Sequence, residues 1–388
     1  IRVDDIKLED LLGRDEITLD SSKIKSFIRG KKVLVTGGAG SIGSELCRQI
    51  LDYGASHLII FDFHENGLFE IDRELLKKYE NRDLYSLALG SIRDVARLED
   101  IFIKYAPDLV FHAAAHKHVP MMEYNPKEAI KNNIFGTMNV AKAAAKYSAD
   151  KFILISTDKA VNPTNIMGAT KRVAEMIIQS FNNMYRTDYV AVRFGNVLGS
   201  NGSVIPTFKD QIEAGGPVTV THKDIIRYFM TIPEAVQLVL EAGAMAKGGE
   251  IFVLDMGEPV KIYDLACTLI ELAGLEVGKD IEIDVTGLRP GEKMFEEISH
   301  SDEEITMTEN DKIFVMKRTK FDDRFFFRDL ERLKTKLETA NVEDVYSQVK
   351  QIVPTFNYLL EDKDTNKAAN AEKKRKGPYS EGVVIGRF

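Results

Sequence analysis

The chain has 388 residues, of which 44% are hydrophobic and 29% are charged, and its net charge is −8. This is the composition of an ordinary globular protein with room for a large core and two unequal domains. The acidic balance disfavours nucleic acid as the main partner. No apolar run reaches the roughly 18 residues that a membrane span requires.

The two cysteines, Cys47 and Cys267, each fall within a helical pattern. We interpret them as buried reduced thiols, which favours a cytoplasmic protein. No signal peptide is visible. Because the chain begins at Ile1 rather than at an initiator methionine, the alternative expectation is the cytoplasmic part of a longer, membrane-anchored protein.

Residues 1–30 mix acidic and apolar side chains and are interpreted as a docking segment. From residue 31, short apolar runs alternate with amphipathic stretches. Continuous apolar strands that alternate with helices predict an α/β fold with a parallel sheet covered on both faces. The predicted strands are "VLVT" (33–36), "HLIIFD" (57–62), "LYSLAL" (84–89), "DLVFHAA" (108–114), "KFILIS" (151–156) and "YVAVRF" (189–194).

Two predicted helices, 126–147 and 167–186, carry more apolar surface than one core face requires. We interpret the excess as a contact with the same two helices of a second subunit, in a homodimer or a larger homo-oligomer.

The alternation weakens after residue 195, where glycine-rich turns begin. The pattern predicts a dinucleotide-binding domain over 31–195 and a smaller substrate-binding lobe that lies mainly over 196–320, with parts of 225–255 in the larger domain. Helices near 325–340 and 342–360 form a C-terminal region over 321–362. A polar tail over 363–388 completes the predicted organisation.

A glycine-rich turn joins the first predicted strand to the first helix. Such a turn brings backbone N–H groups at a helix N-terminus close to a pyrophosphate. Asp62, at the end of the second strand, can accept hydrogen bonds from an adenosine ribose and would repel a 2′-phosphate, so NAD is favoured over NADP. The alternative is a set of packing glycines. The predicted cofactor-binding residues of the turn are Gly37, Gly40, Ser41, Ile42 and Gly43.

Two further stretches follow predicted strands, at the sheet edge where ligands bind in such folds. In "HAAAHKHVP" (112–120), the small residues Ala113 and Ala114 let the chain pass close to a cofactor, and Lys117 and His118 are candidates for substrate contacts. In "RFGNVLGSNGS", Asn196 can hydrogen-bond a substrate phosphate or sugar. A solvated loop and a turn-capping asparagine are the alternatives for these polar residues.

These motifs occur in one order together with the lysine of "MGATK" and with "GLRPGEKMFEE" (287–297). The chain thereby resembles the extended short-chain dehydrogenases/reductases that act on nucleotide sugars. Within that group it is most similar to bacterial UDP-N-acetylglucosamine 4,6-dehydratases. The resemblance covers roughly 7–320, including "EDLLGRDEI" (9–17), and long members of that branch carry a membrane portion ahead of this part. It implies a Rossmann-type doubly wound parallel sheet with an interleaved substrate-binding lobe.

The resemblance also implies a reaction in which NAD accepts a hydride from C4 of the sugar, water leaves across C5 and C6, and the hydride returns to C6. Asp158 would serve as the acid at the C6 oxygen and Lys159 as the base at C5. A neutral Lys159 needs a depressed pKa, which we expect from burial, the nicotinamide cation and nearby Lys171. Thr157 or Asp158 would accept the C4 hydroxyl proton.

Met167 stands where many relatives place the tyrosine of a Tyr-x-x-x-Lys pair, and Lys171 matches the lysine. The resemblance assigns Lys171 to the nicotinamide ribose. Met167 can only shape the pocket, since a thioether does no proton chemistry; an ordinary core methionine is the alternative. A nucleotide-sugar 4-epimerase would rely on the missing tyrosine. A non-catalytic NAD-binding protein of the same fold is the third interpretation.

The motif "LRPGEK" (288–293) matches the part of the family that handles the nucleotide. It implies that Arg289 binds the pyrophosphate, because a guanidinium suits phosphate oxygens, and that Glu292 accepts a hydrogen bond from the uridine ribose. Arg227 is a weaker candidate for the same site, with a surface ion pair as the alternative. No metal site is predicted.

Overall fold

The computed structural model describes residues 21–297, 305–316 and 321–358. The predicted polar tail and most of the predicted N-terminal docking segment lie outside these ranges.

Fourteen strands occur in the described ranges. They are β1 (Lys32–Thr36), β2 (His57–Asp62), β3 (Tyr85–Leu89), β4 (Leu109–His112), β5 (Lys151–Ile155), β6 (Asp188–Arg193), β7 (Asn196–Val197), β8 (Val218–Val220), β9 (Ile226–Met230), β10 (Ile251–Leu254), β11 (Pro259–Lys261), β12 (Ile283–Val285), β13 (Ile305–Met307) and β14 (Ile313–Met316).

The same ranges hold thirteen α-helices. They are α1 (Ser22–Ile28), α2 (Ser41–Asp52), α3 (Glu65–Tyr79), α4 (Val95–Tyr105), α5 (Val119–Tyr124), α6 (Pro126–Ile130), α7 (Thr137–Lys146), α8 (Ile166–Met184), α9 (Val204–Glu213), α10 (Ile232–Met245), α11 (Ile262–Leu272), α12 (Asp323–Thr339) and α13 (Val342–Ile352). A π-helical segment, Lys131–Gly136, joins α6 to α7.

Nine strands form one sheet in the order β13-β14-β10-β6-β5-β4-β1-β2-β3. The strands from β10 to β3 in this order are parallel, whereas β14 and β13 add as an antiparallel hairpin beside β10. Each of the six apolar runs forms a strand, which confirms the α/β fold with a Rossmann-type parallel sheet. The strand order reverses between β4 and β1, and such a point opens a cleft at the carboxyl ends of the strands.

The sheet divides the hydrophobic core into two layers. Along β1, Leu34 packs into one layer while Val33 and Val35 pack into the other, as the alternation of side chains in a strand requires. The layer around Val33 and Val35 includes Ile24 and Ile28 of α1. The described end of the predicted docking segment therefore packs onto the core.

The C-terminal helices cover the face that the sequence assigned to a second subunit. Phe181 of α8 packs against Phe327 of α12 with ring centroids 6.0 Å apart and ring planes tilted by 33°, and Ser180 Oγ donates to Asp323 at 2.8 Å. Lys127 Nζ donates to the Ala340 carbonyl at 2.7 Å. Much of the apolar surface of the helices at 126–147 and 167–186 is thus covered by the chain's own C-terminal helices, and the contact with a second subunit stays a prediction.

A smaller lobe stands over the carboxyl ends of the strands. It contains a three-stranded sheet, β11-β9-β7, and a two-stranded sheet, β12-β8. Its own hydrophobic cluster includes Phe208 of α9 and Leu269 of α11. The hairpin at 305–316 differs from the sequence prediction, because it joins the main sheet instead of the lobe. By pairing with β10 it covers what would otherwise be an open sheet edge.

Candidate active site

The glycine turn is packed so tightly that side chains are excluded at two of its positions. Gly37 has a φ of +70°, and a Cβ there would lie 2.6 Å from the Ala114 backbone nitrogen. A Cβ on Gly43 would lie 1.9 Å from the Gly37 carbonyl oxygen. Gly40 caps the N-terminus of α2 without a side-chain hydrogen bond. The first N–H groups of α2, at Ser41 and Ile42, are therefore placed where a phosphate can accept from them.

Asp62 lies at the end of β2 and fixes the shape of this turn. Its carboxylate accepts hydrogen bonds from the Ala39 N–H at 3.0 Å and from the His64 N–H at 2.9 Å. The sequence did not foresee this structural role. The carboxylate also lines a cleft shared with most of the predicted cofactor residues. The cleft is lined by Gly37, Ala39, Gly40, Phe61, Asp62, Phe63, His64, Gly90, Ser91, Ile92, Ala113, Ala114, Ala115, His116, Asn132 and Asn201.

The trio Thr157-Asp158-Lys159 follows β5 in a short 3₁₀ turn. Thr157 Oγ1 donates to Asp158 Oδ1 at 2.8 Å, and Lys159 Nζ donates to the same oxygen at 3.0 Å. Asp158 is 1% exposed. Its other oxygen, Oδ2, is buried and has no hydrogen-bond partner in the described ranges. The turn thus presents a buried carboxylate and an amine in direct contact.

The charge state of Lys159 differs from the prediction. Burial lowers the pKa of Lys159, but the carboxylates of Asp158 and Glu296 together outweigh burial and hold the pKa above its usual value. We expected a depressed pKa because the sequence could not place Glu296 beside the lysine. In the chain by itself Lys159 is therefore an ammonium at neutral pH.

Lys171 and Met167 occupy the first two turns of α8. Lys171 Nζ donates to the Ile155 carbonyl at 2.6 Å, and burial lowers the pKa of Lys171 to about 8. Met167 is 4% exposed and belongs to the main hydrophobic cluster. This placement fits the alternative interpretation, a core methionine, and a role of Met167 in shaping the pocket stays a prediction.

The loop that carries "LRPGEK" is hydrogen-bonded to the segment that follows the Thr157-Asp158-Lys159 turn. The Gly291 carbonyl accepts from Thr164 Oγ1 at 2.9 Å and from Asn165 Nδ2 at 3.2 Å. Lys293 Nζ donates to the Val161 carbonyl at 3.0 Å. These contacts bring residues about 130 positions apart in the chain into one site.

Two of the predicted substrate-binding residues, Arg227 and Glu292, form hydrogen bonds within the protein. Arg227 is buried, and its guanidinium donates to the Ile226 carbonyl at 2.7 Å and to the Lys293 carbonyl at 2.8 Å. Arg227 also lies 3.5 Å from Glu292 and 3.9 Å from Glu296, so its ion pairs are buried rather than on the surface, and its contact with the pyrophosphate stays a prediction. The Glu292 carboxylate accepts from the Arg289 N–H at 3.0 Å and from Thr221 at 3.2 Å.

Arg289 is exposed, and within the described ranges its guanidinium makes no hydrogen bond to the protein. Asn196 accepts from Lys159 Nζ at 3.3 Å, so it lies beside the Thr157-Asp158-Lys159 turn. Partial burial and the charge of Lys159 lower the pKa of Lys117, which places the two lysines in one neighbourhood. A Cβ on Gly202 would lie 2.6 Å from the His118 ring, so the two loops predicted to line the site meet.

Glu296 is a site residue that the sequence analysis missed. Its side chain is 6% exposed, and Oε1 lies 3.9 Å from both Lys159 Nζ and Arg227 Nη2. Burial and the Asp158 carboxylate raise the pKa of Glu296, while Lys159 and Arg227 oppose that rise. The sequence feature that could have identified Glu296 is its position in "GEKMFEE" (291–297), a motif that we interpreted as nucleotide-binding.

Residues 33–318 match the family described as "Polysaccharide biosynthesis protein". The chain belongs to this family. The capsular polysaccharide biosynthesis protein CapD of Staphylococcus aureus is 56% identical over 299 residues, which are 77% of this chain and 50% of that protein. The chain therefore spans about half the length of this relative.

A Campylobacter jejuni protein named UDP-N-acetylglucosamine 4,6-dehydratase (inverting) is 36% identical over 282 residues, covering 71% of this chain and 80% of its own length. Among solved structures, Pen from Bacillus thuringiensis is similar with a TM-score of 0.70 and 37% identity, covering 75% of this chain and 90% of Pen. The chain is thus related to nucleotide-sugar dehydratases, and the resemblance noted in the sequence is confirmed.

Two negative findings apply to the described ranges. No helix there combines the length and the apolar character that crossing a membrane demands. No group of three or more histidine, cysteine, aspartate or glutamate side chains there could hold a metal ion.

Proposed function

We propose that the chain catalyses the NAD-dependent 4,6-dehydration of a UDP-N-acetylhexosamine, with UDP-N-acetylglucosamine as the first candidate, to the 4-keto-6-deoxy sugar nucleotide. The observation that carries the proposal is the 3.0 Å hydrogen bond between Lys159 Nζ and the buried Asp158 carboxylate. An elimination needs a base and an acid close together, and this pair supplies both. The relationship to the Campylobacter jejuni dehydratase supports the same reaction.

The cleft beside the glycine turn fits NAD. The turn excludes a Cβ at Gly37 and Gly43, so only backbone approaches the pyrophosphate, and the Asp62 carboxylate lines the same cleft for the adenosine ribose. Ala113 and Ala114 line it as well. Lys171 is assigned to the nicotinamide ribose. When bound, NAD supplies the acceptor and the donor for the hydride that leaves C4 and returns to C6.

The ammonium form of Lys159 is compatible with its role as the base. Transfer of one proton along the hydrogen bond to Asp158 gives a neutral amine and a carboxylic acid with no change in net charge. The amine then takes the C5 proton, and the electrons of that bond form the second C5–C6 bond. The C6 oxygen leaves with its bonding pair, takes the proton from Asp158 and departs as water. The ion pair is thereby restored.

The C4 hydroxyl proton has two possible acceptors. Thr157 Oγ1 is hydrogen-bonded to Asp158 Oδ1 at 2.8 Å, so a proton can reach Asp158 through Thr157 or directly. That proton passes on to solvent before Lys159 gives its own proton to Asp158, because a carboxylate holds one proton at a time. The Lys159 ammonium later protonates C5 as the hydride returns to C6, and Lys159 regains its proton from solvent. Both Thr157 and Asp158 stay candidates for the acceptor of the C4 hydroxyl proton.

The nucleotide part of the substrate is assigned to the neighbouring loops. Arg289 offers an exposed guanidinium for the diphosphate, and the Glu292 carboxylate that holds the Arg289 backbone is assigned to the uridine ribose. Lys117, His118 and Asn196 are assigned to the sugar and its phosphates. Arg227 is assigned an indirect role, because its hydrogen bond to the Lys293 carbonyl anchors the loop that carries Arg289 and Glu292.

We further propose a cytoplasmic location for this catalytic chain. Both cysteines, Cys47 and Cys267, are free, which suits a reducing compartment.

The test is a product analysis of the purified chain with UDP-N-acetylglucosamine and NAD in heavy water. The dehydratase gives a product that has lost one water, carries one solvent deuterium at C5 and has the C4 hydrogen at C6. A product of unchanged mass would instead indicate a 4-epimerase, and NAD binding without turnover would indicate a non-catalytic protein. A dehydrated product without deuterium at C5 would contradict the elimination through C5.

A further inference from the structure

Glu296 is a buried carboxylate at the reacting end of the site to which the dehydration above gives no task. Its Oε1 lies 3.9 Å from Lys159 Nζ, and Lys159 Nζ lies 3.0 Å from Asp158 Oδ1. The side chains of Asp158 and Glu296 are 1% and 6% exposed, and that of Lys159 is 18% exposed. Two carboxylates therefore share one ammonium in surroundings where water screens little.

The loop that carries Glu296 is fixed, so the position of its carboxylate is built into the fold. Arg227 Nη2 donates to the Lys293 carbonyl at 2.8 Å, and Lys293 Nζ donates to the Val161 carbonyl at 3.0 Å. The Gly291 carbonyl accepts from Thr164 Oγ1 at 2.9 Å. Each contact anchors the loop to β9 or to the turn after β5.

Cations outnumber acids among the charged groups around Lys159. Asp158 and Glu296 are its acidic neighbours. Arg227 lies 3.9 Å from Glu296 and lowers the pKa of both Glu296 and Lys159. Two more cations complete the set: Lys293 lowers the pKa of Glu296, and the pKa of Lys117 is itself lowered by partial burial and by Lys159. Removal of the Glu296 charge would leave Asp158 as the one acid among these named groups, against three cations besides Lys159.

We propose that Glu296 is a positioning residue for the dehydration, whose carboxylate holds the Lys159 ammonium at Asp158 and keeps the shared proton on the Asp158–Lys159 pair up to alkaline pH. The inference rests on the proposed roles of Asp158 and Lys159. It adds a residue that acts through Lys159.

The sign of the effect follows from the charge. The pair is active while it holds the shared proton, because Asp158 must give that proton to the leaving oxygen. Loss of the proton at high pH ends activity. A negative charge at 3.9 Å opposes that loss, so removing the charge moves the high-pH limb of the rate profile to lower pH.

The experiment is the pH dependence of kcat/KM for dehydration, measured by the mass of the product, in the unaltered chain and in Glu296→Gln. We expect the high-pH limb to move down by about 1–3 pH units in Glu296→Gln. The matched control is Glu297→Gln, the same change one residue later. The Glu297 side chain is 45% exposed and contacts Lys293 and Asn162, so its limb is expected to stay in place.

A second variant separates charge from packing. Glu296→Asp keeps the negative charge and removes one methylene group, so its limb is expected to stay near that of the unaltered chain even if kcat falls. If Glu296→Gln does not fold, the high-pH limb of Glu296→Asp tests the role of Glu296. A limb displaced in Glu296→Asp, or unmoved in folded Glu296→Gln, would overturn the role of Glu296. Failure of the proposed function is recognised separately, since the unaltered chain would then give no dehydrated product.

Discussion

Arg193 and Glu175 form a fully buried ion pair in which two guanidinium nitrogens donate to the two carboxylate oxygens, both at 2.7 Å. The pair joins the end of β6 to α8, the helix that also carries Lys171. Ser156 Oγ donates to the same carboxylate at 2.7 Å, and Arg172 lies 3.0 Å from it. The ion pair therefore supports the strand ends from which the Thr157-Asp158-Lys159 turn begins.

Glu175→Gln is expected to lower the free energy of unfolding by about 3–5 kcal/mol, because it leaves the Arg193 charge buried without its partner. Urea denaturation measures the change. The control is Glu99→Gln, which removes one member of an exposed pair with Lys146 and should cost below about 1 kcal/mol. Equal losses in the two variants would show that burial of the pair does not matter.

The loss of stability in Glu175→Gln is expected to depend on pH. Burial opposes ionisation of Glu175, but the Arg193 charge outweighs burial and lowers the pKa of Glu175 to about 2. An unfolded glutamate has a pKa of about 4.3. Because the folded pKa is the lower one, this stabilisation is complete above about pH 5 and is lost as the pH falls towards 2. The stability difference between the unaltered chain and Glu175→Gln should shrink over that window; parallel curves would contradict the assignment.

Gly37→Ala is expected to weaken NAD binding at least about tenfold, which is roughly 1.4 kcal/mol. Its Cβ would lie 2.6 Å from the Ala114 backbone nitrogen, so the turn must move. Gly274→Ala is the matched control, since Gly274 also has a positive φ, +78°, but a Cβ there meets nothing within 4 Å. Both variants carry the strain of the left-handed backbone, and fluorescence titration should show weaker NAD binding in Gly37→Ala alone.

Asp62→Asn is expected to reduce the preference for NAD over NADP about tenfold or more, a change of roughly 1.4 kcal/mol. The substitution removes the charge that repels a 2′-phosphate while one oxygen can still accept from the turn. Dissociation constants for both cofactors measure the effect. Asp94→Asn, another acid that accepts from a backbone N–H, serves as the control. Equal use of both cofactors by the unaltered chain would show that Asp62 is misassigned.

Arg289→Ala is expected to raise the KM for the UDP-sugar about ten- to a hundredfold with NAD affinity unchanged. The variant removes a charge-assisted contact worth roughly 1.5–3 kcal/mol. Steady-state kinetics together with an NAD titration separate the two effects. Arg186→Ala, at another exposed arginine, should leave both constants unchanged. An unaltered KM in Arg289→Ala would remove Arg289 from the substrate site.

Met167→Leu is expected to keep most of the dehydratase activity, because the swap nearly conserves volume in a core position. Lys159→Met should abolish water loss, because it removes the proposed base at C5. The mass of the product distinguishes the two outcomes. Activity in Lys159→Met would leave Asp158 or a water molecule as the base, and loss of activity in folded Met167→Leu would return Met167 to the site.

The sequence determined the strands of the sheet and the close packing of the glycine turn. Each apolar run became a strand because a strand buried on both faces needs a continuous apolar stretch. The glycine spacing was equally informative, because a close backbone approach admits only residues without a side chain: Gly37 and Gly43 have no room for a Cβ. Asp158 and Lys159 are adjacent in the chain, so their contact was within reach of the same reasoning.

The tertiary structure decided what depends on contacts between distant segments. Excess apolar surface on α8 shows that something must cover it, but the pattern is the same whether the cover is a second subunit or the chain's own α12. The pKa of Lys159 rises rather than falls because Glu296, 137 positions further along, lies 3.9 Å away. Electrostatic effects depend on distance in space and on burial, and neither quantity is encoded in local sequence spacing.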